Sequence, residues 1–261
     1  MELPRNHFKR AIAEGRQQIG LWSTLPGAVA TEALAGCGFD WILLDTEHSP
    51  GDPLTVLAQL HAASAWPASI AVRPASNDPV LVKRFLDLGV QTLIIPYVQN
   101  AAEARAAAHA LRYPPLGIRG VAGMTRATGY GRITDYTVRA EEELCLIVQI
   151  ETAAALAEIE AIAAIDGIDG LFIGPSDLAA TMGFPGNPAH PEVVAAIDGA
   201  IRRIRTAGKP AGILSLDEGF CRRCIEIGTI FTAVGVDAHL LVKNAEGLAR
   251  RFKAPQDQAS V

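Results

Sequence analysis

Four short apolar runs of this chain end in side chains that can bind ions or exchange protons. WILLDTEHSP, residues 41–50, changes within a few positions from a strand pattern into Asp45, Glu47 and His48. A chain that needed only to end a strand could use Gly, Asn or Ser instead. The other three runs end in the following polar groups: Arg73, then Gln149 and Glu151, then Ser176 and Asp177. These residues are therefore the first candidates for a catalytic site.

Glu151 and Asp177 are candidate metal ligands. Gln149 and Glu151 are two positions apart on one strand, so their side chains point to the same side of it. Glu151 and Asp177, on neighbouring strands, would repel each other in a dry site unless one were protonated or a cation lay between them. Oxygen ligands without a cysteine or a second histidine select a hard ion, Mg²⁺ or Mn²⁺. The alternative is that Ser176 or Asp177 only caps a helix and that Glu151 only begins one.

Arg73 and His48 predict two further roles. The guanidinium of Arg73 stays charged near neutral pH, so it can bind a carboxylate or stabilise an oxyanion, unless it forms an ordinary surface ion pair. His48 can exchange a proton near pH 7, and Asp45 and Glu47 are acidic partners close to it in the sequence. A divalent metal, an arginine and a histidine together suit chemistry through an enolate, in which the metal and Arg73 hold negative charge on oxygen.

The elements that must position these groups alternate regularly along the chain. Alanine-rich amphipathic stretches separate eight apolar runs, at 18–25, 40–47, 69–74, 92–98, 144–151, 170–177, 211–216 and 231–237. Eight strand and helix pairs predict a single α/β domain over residues 1–261, a (β/α)8 TIM barrel. An open doubly wound sheet is the alternative, but the sequence contains neither GxGxxG nor GxxxxGK[ST]. A barrel would bring the polar ends of the four runs to one face, where TIM-barrel active sites lie.

One connection, residues 113–143, is a long loop or an insertion. It contains five glycines in YPPLGIRGVAGMTRATGYGRITDY, together with Arg119, Arg126 and Arg132. These arginines could clamp an anion, and an exposed loop with solvated arginines is an equally open alternative.

Composition and charge exclude several classes of protein. The 261 residues are 49% hydrophobic, which is enough for a large aliphatic core, and about 253–261 are expected to form a flexible tail. A formal net charge of -5 offers no basic face to nucleic acid. No apolar run reaches the roughly 18 residues of a membrane span, and no signal-peptide pattern opens the sequence, so we expect a cytoplasmic protein. Four cysteines are too few for a disulfide scaffold. We expect Cys37 and Cys145 in the core and interpret Cys221 and Cys224 as helix neighbours rather than a redox or zinc pair.

Longer stretches of the chain resemble a known family. They are QIGLW, AGCGFDWILLDTEHSP, VRPASNDP, QTLIIPYVQNAAEAR, RYPPLGIRGVAG, VQIET, GIDGLFIGPSDLAATMGFPGNP, GIL and VGVDAHLL, and they run nearly from end to end. They are similar to class II, metal-dependent pyruvate aldolases, typified by 4-hydroxy-2-oxoheptanedioate aldolase and 2-dehydro-3-deoxyglucarate aldolase. The resemblance implies reversible cleavage of a 4-hydroxy-2-oxo acid to pyruvate and an aldehyde. It also implies a phosphoenolpyruvate/pyruvate-type (β/α)8 barrel that exchanges its last helix between subunits, in a homo-oligomer that is a hexamer built as a trimer of dimers.

The same resemblance implies a metal site and a pyruvate pocket. By position, Glu151 and Asp177 match the ligands of a divalent metal, Mg²⁺ or Mn²⁺, with Co²⁺ as a further option. Gln149, Leu214 and the backbone near Ser176 and Asp177 match the lining of the pyruvate pocket. Ser176 stands where alanine is common, and MTRATGYGRITDY is shorter than its counterpart and differs from it, so the identity of the aldehyde is left open.

The resemblance also implies how a proton is moved. Arg73 matches an arginine at the enolate oxygen, and His48 matches the base that acts on the 4-hydroxyl group. An aspartate that increases the basicity of this histidine is, by position, Asp87, although sequence alone would have favoured Asp45. Asp87 precedes the fourth strand, so it is expected at the opposite end of its own barrel and could reach His48 only from a neighbouring subunit. Asp45 and Glu47 would then shape the turn around the site.

Two other functions fit the same residues. Oxaloacetate decarboxylation, or another lyase reaction through the pyruvate enolate, would need the metal and Arg73 but less from His48. A protein that only binds 2-oxo acids would bind pyruvate without exchanging its methyl protons.

Overall fold

The computed structural model describes residues 1–253. Its strands are β1 (Gln18–Ser23), β2 (Trp41–Asp45), β3 (Ser69–Arg73), β4 (Thr92–Ile95), β5 (Cys145–Ile150), β6 (Gly170–Ile173), β7 (Ala211–Leu214) and β8 (Thr229–Val236). Its helices are α1 (His7–Ala13), α2 (Ala28–Ala35), α3 (Pro53–Ala63), α4 (Pro79–Asp87), α5 (Ala101–Leu111), α6 (Tyr136–Glu143), α7 (Ala153–Ala157), α8 (Ile159–Ala163), α9 (Pro175–Thr181), α10 (Pro191–Thr206), α11 (Glu218–Ile227) and α12 (Asp237–Lys253). All but the first residue of the expected flexible tail, about 253–261, lies outside the described residues.

The eight strands form a closed parallel barrel. Each strand pairs with the next along the chain, and β8 pairs with β1 to complete the circle. This confirms the predicted (β/α)8 fold and excludes an open sheet. Each predicted run contains one strand, but β2 ends at Asp45 and β5 at Ile150. Glu47, His48 and Glu151 consequently lie just beyond the carboxyl ends of their strands.

Alternating side chains divide the apolar residues between two cores. In β5, Leu146 and Ile150 pack against the surrounding helices, whereas Ile147 belongs to the cluster inside the barrel. Because alternate residues of a strand point to opposite faces, Gln149 is the next inward position and Glu151 follows it. The strand therefore delivers two polar side chains to the mouth of the barrel.

Helix α1 closes the amino-terminal end of the barrel. The ring of Phe8 lies 5.4 Å from that of Trp41 and 5.7 Å from that of Phe231, and Ile12 belongs to the same interior cluster. Gly20 leaves room for this packing, since a Cβ there would lie 2.2 Å from the Trp41 ring. The carboxyl-terminal end is left as the mouth through which the polar groups described above meet.

Residues 113–143 agree with the sequence interpretations only in part: residues 113–135 form a long loop in which Arg132 is exposed. The last eight residues form α6, and Arg119 is fully buried rather than solvated. Its Nη2 donates to Asp87 Oδ1 at 2.9 Å, and its guanidinium stacks over the rings of Tyr113 and Tyr136. Arg119 therefore binds a carboxylate of its own chain. The two other arginines of the connection donate to backbone carbonyl groups: Arg126 and Arg132.

The cysteines follow the sequence expectations with one exception. Cys145 is buried, and Cys221 and Cys224 are buried on α11, as helical spacing predicts. Cys37 was expected in the core but is exposed, because it follows α2 in a turn at the surface.

Helix α12 is exposed along most of its length. Asp237 is its single buried residue, while Leu241, Val242, Leu248 and Phe252 are exposed. Exchange of this helix between subunits stays a prediction. Among the helices of residues 1–253, none is long and apolar enough to cross a membrane. The cytoplasmic location also stays a prediction.

Candidate active site

Arg73, the last residue of β3, is the centre of a polar cluster at the barrel mouth. Asp45 lies beside it in the strand register, and both of its carboxylate oxygens accept hydrogen bonds from Arg73, at 2.9 Å from Nε and 2.6 Å from Nη2. Nη1 lies 2.8 Å from Glu47 Oε2 and 3.4 Å from Gln149 Oε1. The Arg73 side chain is 8% exposed, so the alternative of a surface ion pair is wrong.

Asp45 and Trp22 fix the direction of the Arg73 side chain. Burial acts to raise the pKa of Asp45, but the hydrogen bonds and positive charge of Arg73 outweigh it and hold that pKa below its ordinary value. Trp22 Nε1 donates to Asp45 Oδ2 at 3.3 Å, and the Trp22 ring centre lies 4.9 Å from Arg73 Cζ. The guanidinium is thus held between an ionised carboxylate and an aromatic face.

Glu47 has a buried oxygen that is not satisfied. Its Oε2 is close to Arg73 Nη1 but makes no hydrogen bond of acceptable geometry within the described residues. Burial raises the pKa of Glu47 against the opposing charge of Arg73, and the negative charge of Asp177 adds to the rise. A cation or a hydrogen-bond donor bound at the mouth would satisfy this oxygen.

Glu151 is held rigidly beneath the mouth. The backbone N–H of Tyr97 donates to its Oε1 at 2.6 Å, and Gln149 Nε2 donates to its Oε2 at 3.0 Å. Burial raises the pKa of Glu151 to about 7; the Tyr97 hydrogen bond opposes this rise, and the charges of Glu47 and Asp177 add to it. The positive charge of Arg73 also lowers this pKa, but it is too weak to offset burial.

The backbone around Glu151 is shaped to bring it into place. Tyr97 adopts a φ of 56°, which is uncommon for a residue with a side chain, and in this conformation its N–H meets Glu151. Gly174 lies against the other side of the carboxylate, where an added Cβ would be 2.5 Å from Oε2.

Asp177 and Ser176 lie in the first turn of α9 but do not cap it. The N-cap residue is Gly174, and no side chain makes a capping hydrogen bond there. At the end of β5, Thr152 rather than Glu151 caps α7. The capping alternative is therefore wrong for these three polar residues. Asp177 is exposed toward the mouth, and its charge is felt by Glu151.

His48, Leu214 and Asp87 occupy very different positions. The His48 side chain is 67% exposed at the rim of the mouth, with Nε2 3.8 Å from Glu47 Oε2. Leu214 ends β7 and packs, half-buried, on the barrel interior. Asp87 ends α4 and pairs with Arg119. Because α4 runs from the mouth back to the start of β4, Asp87 lies at the opposite end of the barrel from His48 in the same chain.

Three contributors to the site carried no role in the sequence interpretation. Trp22 has a recognisable signal, since a large aromatic residue near the end of an apolar run can reach the barrel mouth. Gly174 lies in the polar end of the run at residues 170–177. A glycine is needed there because a Cβ would collide with Glu151, and this contact cannot be read from the sequence. Tyr97 contributes its backbone N–H, a group that every residue except proline has, so the residue type gives no signal of this role.

The charges at the mouth fit a divalent cation. The carboxylates there outnumber Arg73, and they are Asp45, Glu47, Glu151 and Asp177. Within residues 1–253, no three side chains of His, Cys, Asp or Glu come together as a complete ligand set. Glu151 and Asp177, the metal ligands expected from the sequence, are two of these carboxylates, and their role as ligands stays a prediction.

Comparisons with known proteins identify relatives of this chain over nearly its whole length. A family model described as HpcH/HpaI aldolase/citrate lyase matches residues 18–244. A pyruvate aldolase of Rhizobium etli is 62% identical over 252 residues, which cover 97% of this chain and 99% of that protein. A 4-hydroxy-2-oxo-heptane-1,7-dioate aldolase of Salmonella dublin is 53% identical over 254 residues, which cover 97% of each protein. The crystal structure of an HpcH/HpaI aldolase/citrate lyase family protein from Burkholderia cenocepacia J2315 superposes with a TM-score of 0.92 at 36% identity, covering 95% of this chain and 100% of that one.

Proposed function

This chain belongs to the HpcH/HpaI aldolase/citrate lyase family, and on that basis we propose that it is a divalent-metal-dependent aldolase that reversibly cleaves 4-hydroxy-2-oxo acids to pyruvate and an aldehyde. The enzyme class, a carbon–carbon lyase, follows from the family and from the aldolases among its relatives. The observation that carries the proposed mechanism is the buried Arg73, fixed by Asp45, at the same mouth as the buried Glu151. We take residues 1–261 as one catalytic domain.

Glu151 and Asp177 would hold the metal. Mg²⁺ or Mn²⁺ suits these oxygen donors best, and Co²⁺ is a further option. When bound, the ion would act as a Lewis acid on the 2-oxo group of the substrate. Support comes from the raised pKa of Glu151 and from the unsatisfied Oε2 of Glu47.

Arg73 would stabilise the negative charge that develops on the enolate oxygen. A preorganised cation in a water-poor site is more effective than a mobile one, because it needs no reorientation as the charge forms. Gln149 and the half-buried Leu214 would line the pyruvate half of the substrate. The carboxylate of that half would bind the backbone N–H groups at Ser176 and Asp177, in the first turn of α9.

His48 would exchange the proton of the 4-hydroxyl group. In cleavage it would accept this proton as the bond between C3 and C4 breaks, and in the reverse direction it would return the proton to the new hydroxyl group. This role is supported by the exposed position of His48 at the rim, with Nε2 3.8 Å from Glu47 Oε2.

The oligomer would complete the site. We propose a hexamer, a trimer of dimers, in which α12 is exchanged between subunits and Asp87 reaches His48 of a neighbouring subunit. The exposed apolar residues of α12 and the partly exposed carboxylate of Asp87, held by the buried Arg119, support this arrangement.

Oxaloacetate decarboxylation is the second candidate. It is favoured by the contrast between the buried Arg73 and the exposed His48, since decarboxylation needs the enolate-stabilising groups but not the base. The substitution His48→Ala distinguishes the two activities. Aldol cleavage should fall about 100-fold or more when its general base is removed, while decarboxylation should persist.

The proposed function is tested by pyruvate release from a panel of 4-hydroxy-2-oxo acids. The metal-free protein should be inactive, and Mg²⁺, Mn²⁺ or Co²⁺ should restore activity. Glu151→Gln should lose this response. Activity that survives complete chelation would contradict the metal-dependent mechanism.

A further inference from the structure

An apolar cavity of about 700 Å³ adjoins the mouth on the side of β6 and β7. Its walls come from the connection after α9, from α10, from the end of β7 and from α11, and they include Pro188, Ala189, Val194, Leu216 and Phe220. We call this cavity the β7 groove.

The β7 groove shares two residues with the proposed pyruvate pocket. Leu214 and Ser176 line both of them. Leu214 and Val236, which also lines the groove, pack directly on the apolar interior of the barrel. A substrate held with its pyruvate half against Leu214 and Ser176 would therefore have the groove next to it.

The lining of the β7 groove has no positive charge within the described residues, since it includes no Lys, Arg or His. Its one ionisable side chain is Asp217, whose Oδ1 accepts the backbone N–H of Phe220 at 2.6 Å as the N-cap of α11. A carboxylate bound in this groove would lose water, find no cation and approach a like charge. An apolar chain would instead be stabilised by roughly 0.8 kcal/mol for each buried methylene group.

We propose that the β7 groove binds the chain of the aldehyde half and selects uncharged aliphatic or aryl aldehydes over aldehydes that end in a carboxylate. This assignment rests on the proposed aldolase function. In the synthetic direction, pyruvate C3 loses a proton and bonds to the aldehyde carbonyl carbon, and the carbonyl oxygen takes up a proton to become the 4-hydroxyl group. The remainder of the aldehyde occupies the groove, so Leu216 and Ala189 determine which aldehydes are accepted.

Two aldehydes of similar length and different charge test this assignment. Pentanal and succinic semialdehyde are compared as partners of pyruvate, by kcat/KM for the aldehyde. The unmodified protein should prefer pentanal by about tenfold or more. Leu216→Lys should shift that ratio toward succinic semialdehyde by at least about tenfold, mainly through KM, because it supplies the missing cation.

Val80→Lys is the matched control. Val80 is 55% exposed and Leu216 is 51% exposed, but Val80 begins α4 next to β3, across the barrel from β7. It should leave the aldehyde ratio unchanged. If Leu216→Lys does not fold, Ala189→Lys replaces it, since Ala189 is an exposed residue of the same wall.

Three outcomes would overturn the assignment. They are a preference of the unmodified protein for succinic semialdehyde, equal shifts in the Leu216 and Val80 variants, and a change of oligomeric mass in Leu216→Lys without a change in the ratio. The last would show that the groove is a subunit contact. Metal-dependent exchange of the C3 protons of pyruvate, followed by NMR, tests the aldolase mechanism separately from the groove. Exchange that persists while the ratio fails to shift overturns the groove alone, and its absence in the unmodified protein overturns the aldolase mechanism and the groove together.

Discussion

Arg73 is restrained from several directions at once. Asp45 accepts two of its hydrogen bonds, Glu47 and Gln149 approach its third nitrogen, and Trp22 covers its face. Such a side chain has little freedom to move, so its charge is already in place when negative charge develops on the substrate. In the proposed mechanism, Asp45 would therefore act as a positioning residue for Arg73.

Replacing Asp45 by Asn should separate positioning from stability. Asn is neutral and has only one oxygen that can accept a hydrogen bond from Arg73. Arg73 therefore loses a buried charge partner, which should lower the free energy of unfolding by about 3 kcal/mol. We expect kcat/KM for aldol cleavage to fall by about 10- to 100-fold with little change in Mn²⁺ affinity, because the metal ligands are untouched. Asp198→Asn is the control, since Asp198 is also an almost buried aspartate paired with an arginine, Arg223, but on α10 and α11 away from the mouth. Unchanged kcat/KM in the Asp45 variant would contradict the positioning role.

The ionisation of Glu151 should make the metal-free protein less stable as pH rises. Its pKa of about 7 in the folded state lies above the ordinary value of 4.5, so the unfolded chain releases this proton first. The folded state therefore loses stability between pH 4.5 and 7, by on the order of 3 kcal/mol, and the loss is complete above pH 7. Glu151→Gln has no such proton to lose.

Urea unfolding of the metal-free protein and of Glu151→Gln, at pH 5 and pH 8 and at one protein concentration, measures this effect. Between pH 5 and pH 8, the free energy of unfolding of the unmodified protein should fall relative to that of Glu151→Gln. Added Mn²⁺ should restore the stability of the unmodified protein at pH 8 but not change that of the variant. A difference that is independent of pH would show that Glu151 ionises normally.

At the scale of elements, strand positions were accessible from the sequence because the apolar runs encode them directly. A strand such as β5 must present alternate residues to two different cores, so the sequence specifies which side Gln149 and Glu151 face. Partners in space are not encoded in this way. Arg119 was expected to be solvated or to bind an external anion, because nothing in GIRG indicates that Asp87 and two tyrosine rings surround it.

Gly174 shows how the start of one element limits another. It precedes α9 and has a φ of -97°, which alanine can adopt, so the cost of a larger residue is the 2.5 Å contact between its Cβ and Glu151 Oε2. We expect Gly174→Ala to fold but to bind Mn²⁺ about tenfold or more weakly, as titration calorimetry would measure, because the ligand is displaced. Gly199→Ala, on α10 with nothing within 4 Å of its Cβ, is the matched control and should bind normally. Equal affinities for the two variants would exclude a steric role for Gly174.

At the scale of the whole molecule, one barrel separates two of the proposed catalytic groups. His48 lies at the rim of the mouth, and Asp87 lies at the other end, bound to Arg119. The sequence resemblance anticipated this separation, but no single-chain pattern can say which surfaces meet in an assembly. The test must therefore use mixed oligomers.

Co-expression of Asp87→Asn with His48→Ala should recover activity that neither variant has alone. If each site combines His48 of one subunit with the partner subunit's Asp87, an equal mixture restores about a quarter of the sites. His48→Ala co-expressed with Glu151→Gln is the control, because both residues belong to the same mouth and no assembly can restore it. Failure of the first mixture to recover, in oligomers shown to be mixed, would remove Asp87 from the mechanism.

Helix α1 has a kinetic consequence. Because it seals one end of the barrel, reactants and products share a single opening, and Gln149 and Glu151 lie deeper in it than the exposed Leu216. In the proposed reaction, the aldehyde would then cover the three-carbon product, which would depart second. Cleavage should follow an ordered release, in which pyruvate inhibits competitively against the 4-hydroxy-2-oxo acid and the aldehyde inhibits noncompetitively.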